Sequence, residues 1–188
     1  MNNKFNSIFF NGLRFGGLMG ALTVFLSLTY YVLEVNIFSI GFSILNFLIL
    51  IGVYVAFLLY SNKTVKTKYL GGQLNYWDGV LNAFVTGIVA AVIGLIYNYI
   101  FIKYFDPDFM AKASEKVMEM LENNPNIPQE AVEKAYKDME AMTPVKYALQ
   151  GLKMNLIISV IFALIISAFT RTKKDEFIED VVLDEKSE

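Results

Sequence analysis

Four apolar runs, each long enough to cross a bilayer, constrain this chain more than any other feature. They fall at about Leu13–Leu33, Ile37–Tyr60, Gly79–Ile102 and Tyr147–Phe169. A spanning helix needs about 20 apolar residues to cross a hydrocarbon core roughly 30 Å thick. Only a helix or a closed barrel satisfies its own backbone N–H and C=O groups there. One soluble domain of this size has too little other chain to cover four such helices on all sides. Composition agrees, with 55% of the 188 residues hydrophobic and 18% charged, against about 25% charged in soluble domains. The fold expected is all-α: a four-helix transmembrane bundle with an extracytoplasmic amphipathic helical hairpin between spans three and four. Residues 1–174 would form the membrane domain, and the acidic tail 175–188 is expected to be cytoplasmic and disordered. The N-terminal MNNKFNSIFFNGLRFGG lacks a small-residue cleavage site and reads as the entry to a retained first span.

Lysine and arginine in short flanks orient the spans. Lys4 and Arg14 precede or open span one, Lys63, Lys66 and Lys68 lie between spans two and three, and Arg171, Lys173 and Lys174 follow span four. With four spans these regions share one side, which the positive-inside rule makes cytoplasmic. The segment 103–146 then falls outside. In it, Asp106-Pro107 predicts a helix start with Asp as cap and Pro at the first helical position. Met110, Val117, Met118 and Leu121 follow at helical spacing, and NNPNIP at 123–128 breaks the pattern. A second helix is expected from Pro128, with Val132, Ala135, Tyr136, Met139 and Met142 on one face. Thr143-Pro144 predicts the start of the helix entering span four. This hairpin is expected to cap the bundle, with a lipid-surface or partner-binding role as the alternative.

Small residues recur every fourth position in the spans: Gly12, Gly16 and Gly20; Gly52 and Ala56; Gly79, Ala83, Gly87 and Ala91; and, with one asparagine among them, Gly151, Asn155, Ser159, Ala163 and Ser167. Such stripes let helix backbones approach closely, where van der Waals contact replaces the absent hydrophobic drive. They are expected to pack within the bundle, a homodimer face being the alternative. Asn82, Thr86, Asn155 and Ser159 are expected to form interhelical hydrogen bonds or, alternatively, to line a polar path; Asn46 and Asn98 are further polar residues within spans. In the stretch GGQLNYWDG, Gly71-Gly72 is expected to turn the chain, and Tyr76 and Trp77 to anchor it at the interface.

The chain contains no histidine and no cysteine, which removes the commonest general base, the commonest metal ligands and any thiol nucleophile. No ionisable residue lies deep in a span, so the usual relay of proton-coupled transport is missing. Asp78, Asp106 and Asp108 are the only acids placed for lipid chemistry, and a helix-start role accounts for Asp106. A net charge of −2 without a concentrated basic patch argues against nucleic acid. No catalytic, cofactor or metal residue is expected, and membrane lipid is the expected surrounding.

Three stretches resemble a known family: the glycine-striped NGLRFGGLMG; the loop into Gly71-Gly72-Gln73-Leu74-Asn75-Tyr76 followed by Ala83-Phe84-Val85-Thr86-Gly87; and Tyr104-Phe105-Asp106-Pro107-Asp108-Phe109 before an acidic hairpin and last span. They are similar to the domain-of-unknown-function 4199 family of integral membrane proteins, found mainly in Bacteroidetes. Trp77-Asp78 departs from its pattern. The resemblance spans about residues 7–170 and carries over no activity. It implies a multi-pass protein of the inner membrane of a diderm bacterium, with 103–146 periplasmic. The function expected is non-catalytic, structural or accessory, acting with an unknown membrane protein or as a homo-oligomer. The alternative is a small oligomeric transporter or channel subunit with a polar path near spans three and four.

Overall fold

The computed structural model describes residues 2–37, 39–123 and 127–172. Their helices are α1 (Asn2–Val32), α2 (Ile40–Tyr69), α3 (Tyr76–Ile100), α4 (Phe109–Glu122), α5 (Gln129–Glu140) and α6 (Pro144–Thr170), with a π-helical turn, Phe101–Phe105, prolonging α3. α1, α2, α3 with its π turn, and α6 are long and apolar enough to cross a membrane. α4 and α5 form the hairpin between the third and fourth of them. The expected acidic tail, 175–188, lies outside the described residues.

The helices run past the apolar spans. α1 begins at Asn2, not Leu13, and α2 continues beyond Tyr60 to Tyr69. Hydropathy marks where a helix meets lipid, whereas its backbone hydrogen bonds continue until a cap or a turn ends them. α2 starts at Ser39, whose Oγ accepts from Phe42 N–H at 3.2 Å. α6 starts as expected, with Thr143 Oγ1 accepting from Lys146 N–H at 3.2 Å and Pro144 in the first turn. α4 starts later than expected. The π turn draws Asp106 N–H back to Phe101 O at 3.0 Å, so Asp106 ends that turn and Asp108 is the residue before α4. Pro128 likewise precedes α5 instead of opening it.

Two turns reverse the chain differently. α1 ends in a Schellman arrangement, with Val35 N–H donating to Tyr30 O at 3.0 Å and Glu34 N–H to Tyr31 O at 3.1 Å. Glu34 holds the left-handed position at φ 52°, where glycine is the usual occupant. Between α2 and α3 that position is filled by glycines: Gly71 and Gly72 sit at φ 58° and 84°, and Gly72 N–H donates to Lys66 O at 2.9 Å. Leu74 then buries its side chain with Ile8 and Val65. Its backbone pairs with Thr172: Thr172 N–H donates to Leu74 O at 2.9 Å, and Leu74 N–H to Thr172 Oγ1 at 2.8 Å.

α3 is central. It packs on α1 along one side and on α6 along the other, and α2 touches all three. The glycine stripe of α1 makes the first contact: a Cβ on Gly16 would stand 2.6 Å from Thr86 O and from Val89 Cβ, and one on Gly12 2.8 Å from Val85 Cβ. Gly20 sits as closely on Ile93. On the other side Gly79 faces Asn62 and Ser167, and Gly87 faces Ser159 and Tyr54. Ala83 and Ala163 are completely buried in a cluster with Leu58 and Ile166, and Ala91 is buried too. Gly151 makes only an ordinary contact, with Asn98 Nδ2 at 3.8 Å. The expected packing role fails at Gly52 and Ala56. Gly52 is exposed with no atom within 4 Å of a Cβ position, and Ala56 is only half-buried. At that height α2 packs on the core with its opposite face, through Tyr54 and Leu58.

The bundle therefore has two distinct ends. The start of α1, the α2–α3 turn and the end of α6 form the terminal end, where Lys4 Nζ meets Asp78 Oδ2 at 2.6 Å. The α1–α2 turn, the π turn and α4–α5 form the hairpin end, where Tyr31 OH donates to Phe105 O at 3.1 Å.

Candidate functional site

Asparagines occupy both ends of the interior, with opposite surroundings. At the terminal end, Asn82 of α3 is completely buried. Its Oδ1 accepts from Asn11 Nδ2 of α1 at 2.9 Å. Its Nδ2 donates to Ser61 Oγ at 2.8 Å and to Asn62 Oδ1 at 2.9 Å, both on α2. Asn62 Nδ2 in turn donates to Thr170 Oγ1 of α6 at 2.9 Å and reaches Ser167 Oγ at 3.4 Å. Ser61 Oγ pairs with Thr86 Oγ1 at 3.1 Å, and Thr86 also donates to Asn82 O at 2.8 Å. All four spanning helices thus join one network. Each such bond contributes about 0.6 kcal/mol on average in membranes. The larger effect is avoidance of an unpaired amide in hydrocarbon, which costs several kcal/mol.

At the hairpin end, Asn46, Asn98 and Asn155 surround open space. With Ser27, Tyr30 and Tyr54 they line a cavity of about 270 Å³, room for several waters at roughly 30 Å³ each. Asn46 Oδ1 is buried without a partner among the described residues. Among the described residues, Asn155 Nδ2 donates only within its own helix, to Gly151 O at 3.0 Å. Tyr97 OH donates to Ser27 Oγ at 2.9 Å between α3 and α1. Ser159 donates to Asn155 O at 2.6 Å and shares a second hydrogen bond with Tyr54 OH. Asn98 also lines a second cavity of about 330 Å³ beneath the hairpin, together with Met110, Met139, Met142, Tyr147 and Met154.

The four polar residues proposed from sequence for a common path are thereby separated. Asn82 and Thr86 belong to the terminal-end network, Ser159 to the Tyr54 pair, and only Asn155 lines the cavity. Hydropathy-based boundaries also miss the partners that close the network. Asn11 precedes span one, while Ser61 and Asn62 follow span two, so all three read as interfacial. The signal that points to them is the pair Asn82 and Thr86, one turn apart on α3, whose polar groups need partners from a neighbouring helix.

Aromatic packing stiffens the hairpin end. Buried Phe101, at the π turn, meets Tyr31 edge-on with centroids 5.2 Å apart and Phe109 at 6.0 Å, and Phe109 meets Tyr147 at 5.7 Å. Such pairs each add about 0.5–1.5 kcal/mol beyond area burial. Asp106 accepts from Lys112 Nζ at 3.0 and 3.1 Å, which holds the lysine pKa above its usual value. Asp78 is at the opposite end, so the acids considered for lipid chemistry do not converge. Of the expected anchors, Trp77 is 71% exposed, whereas Tyr76 is tied to α6 by its hydroxyl, which donates to Leu164 O at 3.3 Å.

Fold and interior together define a multi-pass, all-α membrane protein with a bonded polar network toward one end and a polar-lined cavity toward the other. The chain belongs to the family described as protein of unknown function (DUF4199), whose model matches residues 14–172. No curated protein and no solved structure is significantly similar to it.

Proposed function

We propose that this protein is a non-catalytic accessory subunit of the bacterial inner membrane, and that its α4–α5 hairpin docks on another membrane protein. The observation that carries this reading is the hairpin's two-sided apolar character. Met118 is buried, and Met110, Met139 and Met142 line the cavity facing the bundle. Val117 of α4 and Tyr136 of α5 are exposed, at 37% and 42%, and Met120, 44% exposed, lines an open groove toward Ser39 and Ile40 beside the α1–α2 turn. Exposed apolar side chains beside the bundle-facing methionines are what a docking partner would cover. Methionine side chains adapt readily to a partner surface. The lysine and arginine distribution supports cytoplasmic termini and a periplasmic 103–146. The other protein is either a different membrane protein or a further copy of this chain.

The full chain, expressed in its own membrane, tests this. Photo-crosslinkers at Val117, Met120 and Tyr136 should give one discrete adduct, and crosslinkers on the lipid face at Ile44 or Phe47 should not. Loss of that adduct's complex from native gels should follow replacement of 110–142 by a short Gly-Ser linker. An unchanged complex after that replacement would overturn the reading. Since the chain has no cysteine, single cysteines at Ser114 and Thr67 report orientation without background. Labelling by an impermeant maleimide from the periplasm is expected at the first only.

A further inference from the structure

The residues that fail to pack, Gly52 and Ala56, lie in a groove between α2 and α6 on the outer surface of the bundle. Its volume is about 760 Å³, and Leu59, Lys63, Lys66 and Phe169 continue its lining. Gly52 leaves the floor open, with no atom within 4 Å of a Cβ position. The apolar trough therefore ends, toward the terminal end of α2, in two lysines one turn apart. Neither lysine forms a salt bridge among the described residues.

We propose that this groove binds an anionic phospholipid, with one acyl chain lying over Gly52 and Ala56 and the phosphate held by Lys63 and Lys66. The dimensions match. From Gly52 to Lys63 is eleven residues of α2, or about 16 Å at 1.5 Å per residue. Half of a roughly 30 Å hydrocarbon core is about the same length. The ammonium groups thus stand at headgroup height when the trough lies among acyl chains. Lysine side chains extend their charge toward the interface while their stems stay apolar. Basic pockets between spanning helices favour anionic over zwitterionic headgroups. A second copy of this chain is the rival occupant of a small-residue groove. A two-fold contact would set this patch against itself, and therefore lysines against lysines, so charge favours the lipid.

The full chain in nanodiscs of phosphatidylcholine, with or without phosphatidylglycerol, tests the assignment by native mass spectrometry. Phosphatidylglycerol is expected to be retained in preference to phosphatidylcholine, and less so as salt is raised. In Lys63→Gln/Lys66→Gln its retention should weaken about thirty-fold, since a lysine near an anionic surface contributes roughly fivefold. Gly52→Leu/Ala56→Leu should lose it as well, through a filled trough with both charges intact. Melting in phosphatidylcholine alone identifies any variant that fails to fold, and the salt series on the unaltered chain does not depend on either variant. Equal retention of the two lipids by the unaltered chain would overturn the proposal. So would unchanged retention in the lysine variant, or efficient disulfide dimerisation of Gly52→Cys in native membranes, which would assign the groove to a second copy.

Discussion

The terminal end and the hairpin end of this bundle use the same side chain to opposite effect. Asn11, Asn62 and Asn82 bond one another and the hydroxyls around them until four helices are joined. Asn46, Asn98 and Asn155 face a cavity instead. The difference follows the small residues. At the terminal end, glycines at 12, 16 and 79 let α1, α2 and α6 close on α3, so short amides reach across. At the hairpin end, Gly94 faces open space, and large rings such as Tyr30, Tyr54 and Tyr97 hold the helices apart around the cavity. An asparagine in a membrane helix is therefore a bond or a cavity wall according to what its neighbours' backbones allow.

The comparison breaks most readily at Asn82. Asn82→Ala strands the carbonyl oxygen of Asn62 and takes one bond each from Asn11 and Ser61, which keep each other; it should destabilise the fold by about 3 kcal/mol in denaturant titration from detergent micelles, at about 1–3 kcal/mol for the stranded group and roughly 0.5–1.5 for each lost bond. A loss below about 1 kcal/mol would mean that the network is not a unit. Gly16→Ala comes next, because its Cβ meets the carbonyl oxygen of Thr86, which yields little. A cost of about 2 kcal/mol is expected from overpacking, whereas Gly52→Ala, with open space, should be neutral within about 0.5 kcal/mol. The same titration should show Glu34→Gly stabilising by about 1 kcal/mol, since it relieves a left-handed position. The smallest change should come from Asn155→Leu, within about 0.5 kcal/mol. It loses one bond within its own helix and has the cavity to expand into. A cost near that of Asn82→Ala would erase the distinction between the ends.

Local rules reach a good part of this molecule. The four spans, the hairpin between the third and fourth, the Thr143-Pro144 start and the Gly71-Gly72 turn follow from apolar length, helical spacing and cap chemistry. The α1 stripe is legible as a packing face, though not its partner on α3. Other features depend on contacts that local rules do not contain. Asp106-Pro107 looks like a helix start, but α3 overruns it in a π turn whose Phe101 sits in a cluster with Tyr31 and Phe109. Gly52 and Ala56 have the spacing of a packing stripe, but α2 packs on the core with the other face. Asn11, Ser61 and Asn62 lie beyond the apolar runs and read as interfacial, yet all three are buried.

The order of residues is enough to make this a membrane protein with four spans and an amphipathic hairpin, because length and apolarity alone settle whether a helix can replace water by lipid. It does not say which small residues become contacts and which a groove, or which asparagines become bonds and which a cavity wall. Those outcomes arise on assembly of the bundle. They depend on the distance and rotation between helices far apart in the chain, set jointly by the side chains of all four.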